Sequence, residues 1–149
     1  MTNNDILRSV RYILNINETK LIEIIGLADF QVSKDDITAF LRQEDEIGYR
    51  ACSDEVLAHF LDGLIIYKRG KKEATNPQPL NISMSNNFIL KKLRVAFELK
   101  DIDIVRLVEK SGLKVSKTEL SAFFRNPDHR NYRDCKNQFL RNLLRGMSS

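Results

Sequence analysis

Tryptophan is absent from the 149-residue chain, and the chain holds only two cysteines, two histidines, three prolines and six glycines. Two thiols without a secretion signal cannot form the framework of a small secreted domain, so Cys52 and Cys135 read as free thiols in a reducing, cytoplasmic setting. The longest unbroken apolar run, Leu64-Ile65-Ile66-Tyr67, is far short of the ~20 residues that cross a bilayer, which excludes a membrane span. Asp5, Arg8 and Arg11 interrupt the N-terminal apolar residues, which therefore lack the uncharged core of a secretory signal. There is no Gly-rich phosphate loop, no nucleophile elbow and no Ser/His/Asp set in a recognisable context, so catalysis is the least favoured class and the expectation is a non-enzyme. Sustained period-two alternation is also missing, which excludes extensive sheet.

What the chain does contain is a second copy of itself. FQVSKDDITAFLR, Phe30 to Arg42, returns as LKVSKTELSAFFR at Leu113 to Arg125, an offset of 83 residues. The same offset pairs Asn3 with Asn86, Asn4 with Asn87, Arg11 with Arg94, Ser33 with Ser116, Tyr49 with Tyr132, Arg50 with Arg133, Cys52 with Cys135 and Gly63 with Gly146. The domain plan is a first repeat at 1–70, a linker at 71–85 that carries Asn76-Pro77-Gln78-Pro79, and a second repeat at 86–149. Each repeat is near the size at which an isolated helical core is marginal, so the two are expected to pack together.

Within each repeat the apolar spacing predicts four helices. Ile6, Leu7, Val10, Ile13 and Leu14 recur at three and four residues, with Asn3 or Asn4 as the cap, and Ile89, Leu90, Leu93, Ala96 and Phe97 do the same. A second helix follows from about Glu18, matched from about Ile102. Ser33 with Asp36, and Ser116 with Glu119, have the spacing of a capping box and start a third helix, with Ile37, Phe40, Leu41 or Leu120, Phe123, Phe124 on its buried face. A fourth helix begins near Ser53, and its counterpart carries Phe139, Leu140, Leu143, Leu144 and Met147. The fold class is all-α, two tandem four-helix repeats.

The stretches NNDILRSVRYIL, LRQEDEIGYRACSD, FLDGLIIYKRG, ILKKLRVAFELK, NPDHRNYRDC and QFLRNLLRG together resemble the bacterial YehS-type family, over nearly the whole chain. That resemblance implies cytosolic proteins of this length built from a duplicated domain of unknown function, with no catalytic residues to carry over.

The candidate chemistry is sparse. Cys52 and His59 are seven residues apart on one helix, about 10.5 Å along its axis, too far for shared coordination; His129 and Cys135 are closer, but two ligands are too few for a structural zinc. No metal or cofactor is therefore expected. Glu44-Asp45-Glu46 has the composition of paired acids, but three adjacent acids before a glycine read as a solvated turn. In the shared D-x-x-x-Y-R-x-C run, Asp45 with Arg50 and Asp128 with Arg133 are placed to pin the loop between the third and fourth helices, leaving the arginines as alternative ligand contacts.

The copies differ chiefly in charge. Residues 1–73 hold 10 basic and 13 acidic side chains, and residues 74–149 hold 14 and 7. An acidic face of Glu44, Glu46, Asp54, Glu55 and Asp62 in the first repeat becomes a basic face in the second. Lys117, Arg125, Arg130, Arg133, Lys136, Arg141 and Arg145 are the candidate contacts there. Lys136 adds positive charge at a helix start that is already partly positive, where Asp134 is the expected cap; the set reads first as a solvated basic face with Asp134 as its counter-ion, and alternatively as an anion-binding spot with Arg130 and Arg133. Two functions suit this pattern. One is a protein-interaction module whose oppositely charged repeats bind each other or an unknown protein, giving a possible homo-oligomer. The other is nucleic-acid binding, with the second and third helices paired in a helix–turn–helix-like way and Thr118, Ser121 and Arg125 on one stripe.

Overall fold

The computed structural model describes residues 1–71 and 84–149, so most of the 71–85 linker lies outside the described residues. The chain divides into two compact units, Met1–Met84 and Ser85–Ser149. The first contains α1 (Asn3–Leu14), α2 (Glu18–Leu27), α3 (Lys34–Leu41) and α4 (Asp54–Arg69). The second contains α5 (Asn86–Ala96), α6 (Asp101–Lys110), α7 (Lys117–Phe123) and α8 (Asn137–Met147). Among the described residues every regular element is a helix.

In each unit the apolar residues read from the sequence form the core. Ile6, Leu7, Val10, Leu21, Ile24, Ile37, Leu57 and Phe60 are essentially inaccessible in the first, as are Leu90, Leu93, Ile104, Val108, Leu120 and Leu140 in the second. Leu41, Phe124 and Met147, assigned to the same core faces, are only half-buried. Leu41 and Met147 are the last residues of α3 and α8, and Phe124 is the C-cap of α7, so each has lost helical neighbours on one side.

The tightest packing is made by a glycine in each unit. At Gly63 a Cβ would meet the Ile24 carbonyl oxygen at 1.9 Å, and at Gly146 the Leu107 carbonyl oxygen at 2.2 Å. Ile24 and Leu107 are themselves repeat-equivalents, so α2 against α4 and α6 against α8 close on the same backbone-to-backbone approach. The turns repeat too. Asn15 and its equivalent Glu98 both end the first helix with positive φ, and Asp29 and its equivalent Gly112 do so after the second.

Local hydrogen bonds decide where the helices start. Thr2, not Asn3 or Asn4, caps α1: its hydroxyl accepts from the Asp5 N–H at 3.1 Å while Asp5 accepts from the Thr2 N–H at 2.9 Å. For α3 the expected capping box is complete, Ser33 and Asp36 exchanging bonds of 3.0 Å in both directions. The two bonds from Ser33, its N–H foremost, hold the Asp36 carboxyl below the usual carboxylate range. In α7 only the Ser116 half of the box forms, accepting from the Glu119 N–H at 3.1 Å. Ser53 caps α4, whereas the N-cap of α8 is Lys136, which has no side-chain oxygen to offer. Asp134 does not fill that role; it lies against the Tyr132 hydroxyl, which burial and this carboxylate together hold protonated to higher pH.

Candidate functional site

The segment between the third and fourth helices changes from net negative in the first repeat to net positive in the second, and two asparagines hold it in place. Asn4 is buried in the first turn of α1. Its side-chain amide donates to the carbonyls of Phe40 at 3.0 Å and Arg50 at 2.8 Å, while its oxygen accepts from the Cys52 N–H at 2.9 Å. Asn87 makes the same three bonds to Phe123, Arg133 and Cys135 at 3.0, 2.8 and 2.8 Å. Next to them, Asn3 donates to the Cys52 carbonyl at 3.0 Å and to Asp54 at 2.8 Å, and Asn86 to the Cys135 carbonyl at 3.0 Å and Asn137 at 2.8 Å. The segment also folds back on the third helix, Arg50 N–H donating to the Ala39 carbonyl and Arg133 N–H to that of Ala122. A buried amide that satisfies three backbone groups at once fixes the path of the chain strongly, since each group would otherwise be buried without a partner.

This arrangement replaces the expected pin. Asp45 and Arg50 do not pair; Arg50 instead binds Asp36 on α3 at 3.0 Å and lies over the Phe40 ring. The carboxylate nearest in the chain is exposed at the tip of the turn, whereas the capping carboxylate of α3 lies beside the returning strand of loop.

Cys52 and Cys135 follow the clamp into the interior, 5% and 4% exposed. Burial pushes both thiols up to about 12. Both are free. They are small buried groups at helix starts. His59 stacks on Phe30, with Nδ1 at 2.7 Å from the Glu55 carbonyl, and His129 Nδ1 accepts from the Asn131 N–H at 3.0 Å. Among the described residues no group of three or more His, Cys, Asp or Glu is placed to hold a metal ion.

The seven basic candidates are all exposed, and none makes an ion pair among the described residues. Arg125, Arg130 and Arg133 line a single cavity of about 330 Å³ together with Ser116, Thr118, Glu119, Ala122, Asn131 and Tyr132. Arg133 also lines a neighbouring cavity of about 520 Å³, which takes in Lys136, Lys114 and Gln138. Lys117, Arg141 and Arg145 line neither. Arg125, expected on the polar stripe of the third helix, lies beyond its end, because α7 stops at Phe123 after seven residues.

The acidic candidates are less available. Glu46 accepts from the Gln43 N–H at 2.8 Å, Asp54 takes the Asn3 amide, and Asp62 is also engaged. Glu44 and Glu55 are exposed. Beside them Ile47, at the tip of the same turn, is 93% exposed.

These features define a class: a duplicated helical bundle in which an asparagine clamp holds a loop that differs between the copies, with no metal-binding cluster among the described residues. The family described as "Protein of unknown function (DUF1456)" matches residues 3–70 and again 86–149, and the chain belongs to it. Over 149 residues the chain is 46% identical to "Uncharacterized protein YehS" of Escherichia coli (strain K12), covering 100% of this chain and 96% of that protein. No solved structure matches it. Among the described residues no helix is long and apolar enough to cross a membrane.

Proposed function

We propose that the protein is a recognition module without chemistry of its own, in which the basic second repeat takes an acidic protein surface, the first repeat of another copy being the leading partner. The observation that carries this reading is the set of exposed basic side chains of the second repeat that make no ion pair among the described residues. In the first repeat the equivalent arginines are used up inside the fold. Arg50 is held by Asp36, and Arg42 by the carbonyl of Ile47. Unpaired charges of one sign on one repeat, opposite exposed Glu44 and Glu55 on the other, steer and orient an encounter more than they tighten it.

Sedimentation velocity at micromolar concentration tests the reading. Association at low salt that is lost at high salt, and lost on Arg141→Glu with Arg145→Glu, is the expected result; a protein that stays monomeric at low salt removes the self-association arm. The same side chains also suit a nucleic-acid backbone. Against that reading, α7 is only about 10 Å long at 1.5 Å per residue, and its first-repeat counterpart starts with Asp35 and Asp36. A pull-down from lysate with and without nuclease separates the two, since a bridging nucleic acid disappears with the nuclease.

A further inference from the structure

We propose that the cavity between α7 and the loop that follows it is a binding site for a phosphate monoester dianion. This goes beyond the reading above, since it needs only the cavity and not a protein partner.

Three arginines, Arg125, Arg130 and Arg133, line this one space, with Glu119 the single acidic residue among its lining residues. The formal charge of that set is +2, which matches a dianion better than the single charge of a diester. A guanidinium presents planar forked donors suited to phosphate oxygens, and Thr118 and Asn131 add neutral donors to the lining.

The first repeat is an internal control for whether the fold requires these charges. At the equivalent positions stand Asp35 for Thr118, Asp36 for Glu119, Arg42 for Arg125, Ile47 for Arg130, Gly48 for Asn131 and Arg50 for Arg133. Two arginines are there balanced by two aspartates, and the Asp36–Arg50 pair forms at 3.0 Å. The second repeat has no such pair, since Arg133 makes no ion pair with Glu119 or with any other described residue. Three like charges held together repel one another, and the first repeat shows that the fold closes without them. A bound anion removes that repulsion.

The platform is also built before any ligand arrives. Arg133 is fixed through its N–H to Ala122 at 3.2 Å and its carbonyl to Asn87 at 2.8 Å, and the Asn131 N–H is held by His129. Binding then has to order the arginine side chains but not the backbone that carries Arg133 and Asn131.

Calorimetric titration of the intact protein tests the proposal, with inorganic phosphate, a capped phosphoserine and a 5′-mononucleotide as probes. Saturable one-to-one binding is expected. For capped phosphoserine it should weaken by about tenfold from pH 8 to pH 5, as the second ionisation near pH ~6 is lost. Arg133→Gln should weaken it by about tenfold. Thr118→Asp, which installs the first repeat's residue and touches no arginine, should weaken it at least as much. Arg141→Gln, outside the cavity, should leave it unchanged. Tighter binding of phosphoserine assigns the site to a modified chain, and tighter binding of the nucleotide to a small metabolite. Dimethyl phosphate or acetate binding as well as the monoesters would overturn the proposal, as would an equal effect of Arg141→Gln and Arg133→Gln. Loss of self-association with phosphate binding intact removes the first reading only; the converse removes this one only.

Discussion

Asn4 and Asn87 stand where a sequence reader places a helix cap, and each does something else. A local pattern offers an asparagine before an apolar helix only one task, whereas the partners of Asn4 are 36 to 48 residues away. The readable signal was the repetition of the pair itself, Asn3-Asn4 and Asn86-Asn87, which a mere capping role does not require. Replacing Asn4 by Ala strands the Phe40 and Arg50 carbonyls and the Cys52 N–H, and a loss of about 2–4 kcal/mol in urea unfolding is expected. The thiols add a test in pH. Each folded-state value is raised from 9.0 to about 12, so above pH 9 the unfolded chain releases protons that the folded chain keeps. Stability should therefore fall as pH rises between 9 and 12, by up to ~1.4 kcal/mol per pH unit for each thiol, and a Cys52→Ala, Cys135→Ala chain should lose that slope.

Helix positions were legible at the scale of the element because apolar spacing is a local property, and the predicted starts at Ser33, Ser53 and Ser116 coincide with the observed caps. What spacing does not show is how close two helices come. Gly63 and Gly146 repeat in the sequence, yet only the packing shows that each lies on the carbonyl of the partner helix. Gly63→Ala is expected to cost about 2–4 kcal/mol in thermal or urea unfolding, since backbone rather than a flexible side chain must move. Gly26→Ala, on the facing helix with nothing within 4 Å of the added atom, should instead be neutral or stabilising by up to ~1 kcal/mol. At the start of α8, Lys136→Ser restores the cap that Ser53 provides in the other repeat and removes a charge that opposes the helix dipole. A gain of about 0.5–1 kcal/mol in the same measurement is expected.

Charge is where the whole molecule divides, and this was read from composition with no knowledge of the fold. The sequence placed seven cations on one face; Arg125, Arg130 and Arg133 line one cavity, Lys136 lines a second with Arg133, and Lys117, Arg141 and Arg145 line neither. The loop's backbone path decides that grouping, and its determinants are the distant asparagines. Because those asparagines bind only main-chain atoms of the segment they hold, the identity of its side chains is of little concern to the bundle. The segment from 43 to 49 carries Glu44, Asp45 and Glu46, whereas 126 to 132 carries Asp128 and Arg130, and the same clamp holds both. One and the same anchor pair thus carries two inserts of different sequence, one in each unit.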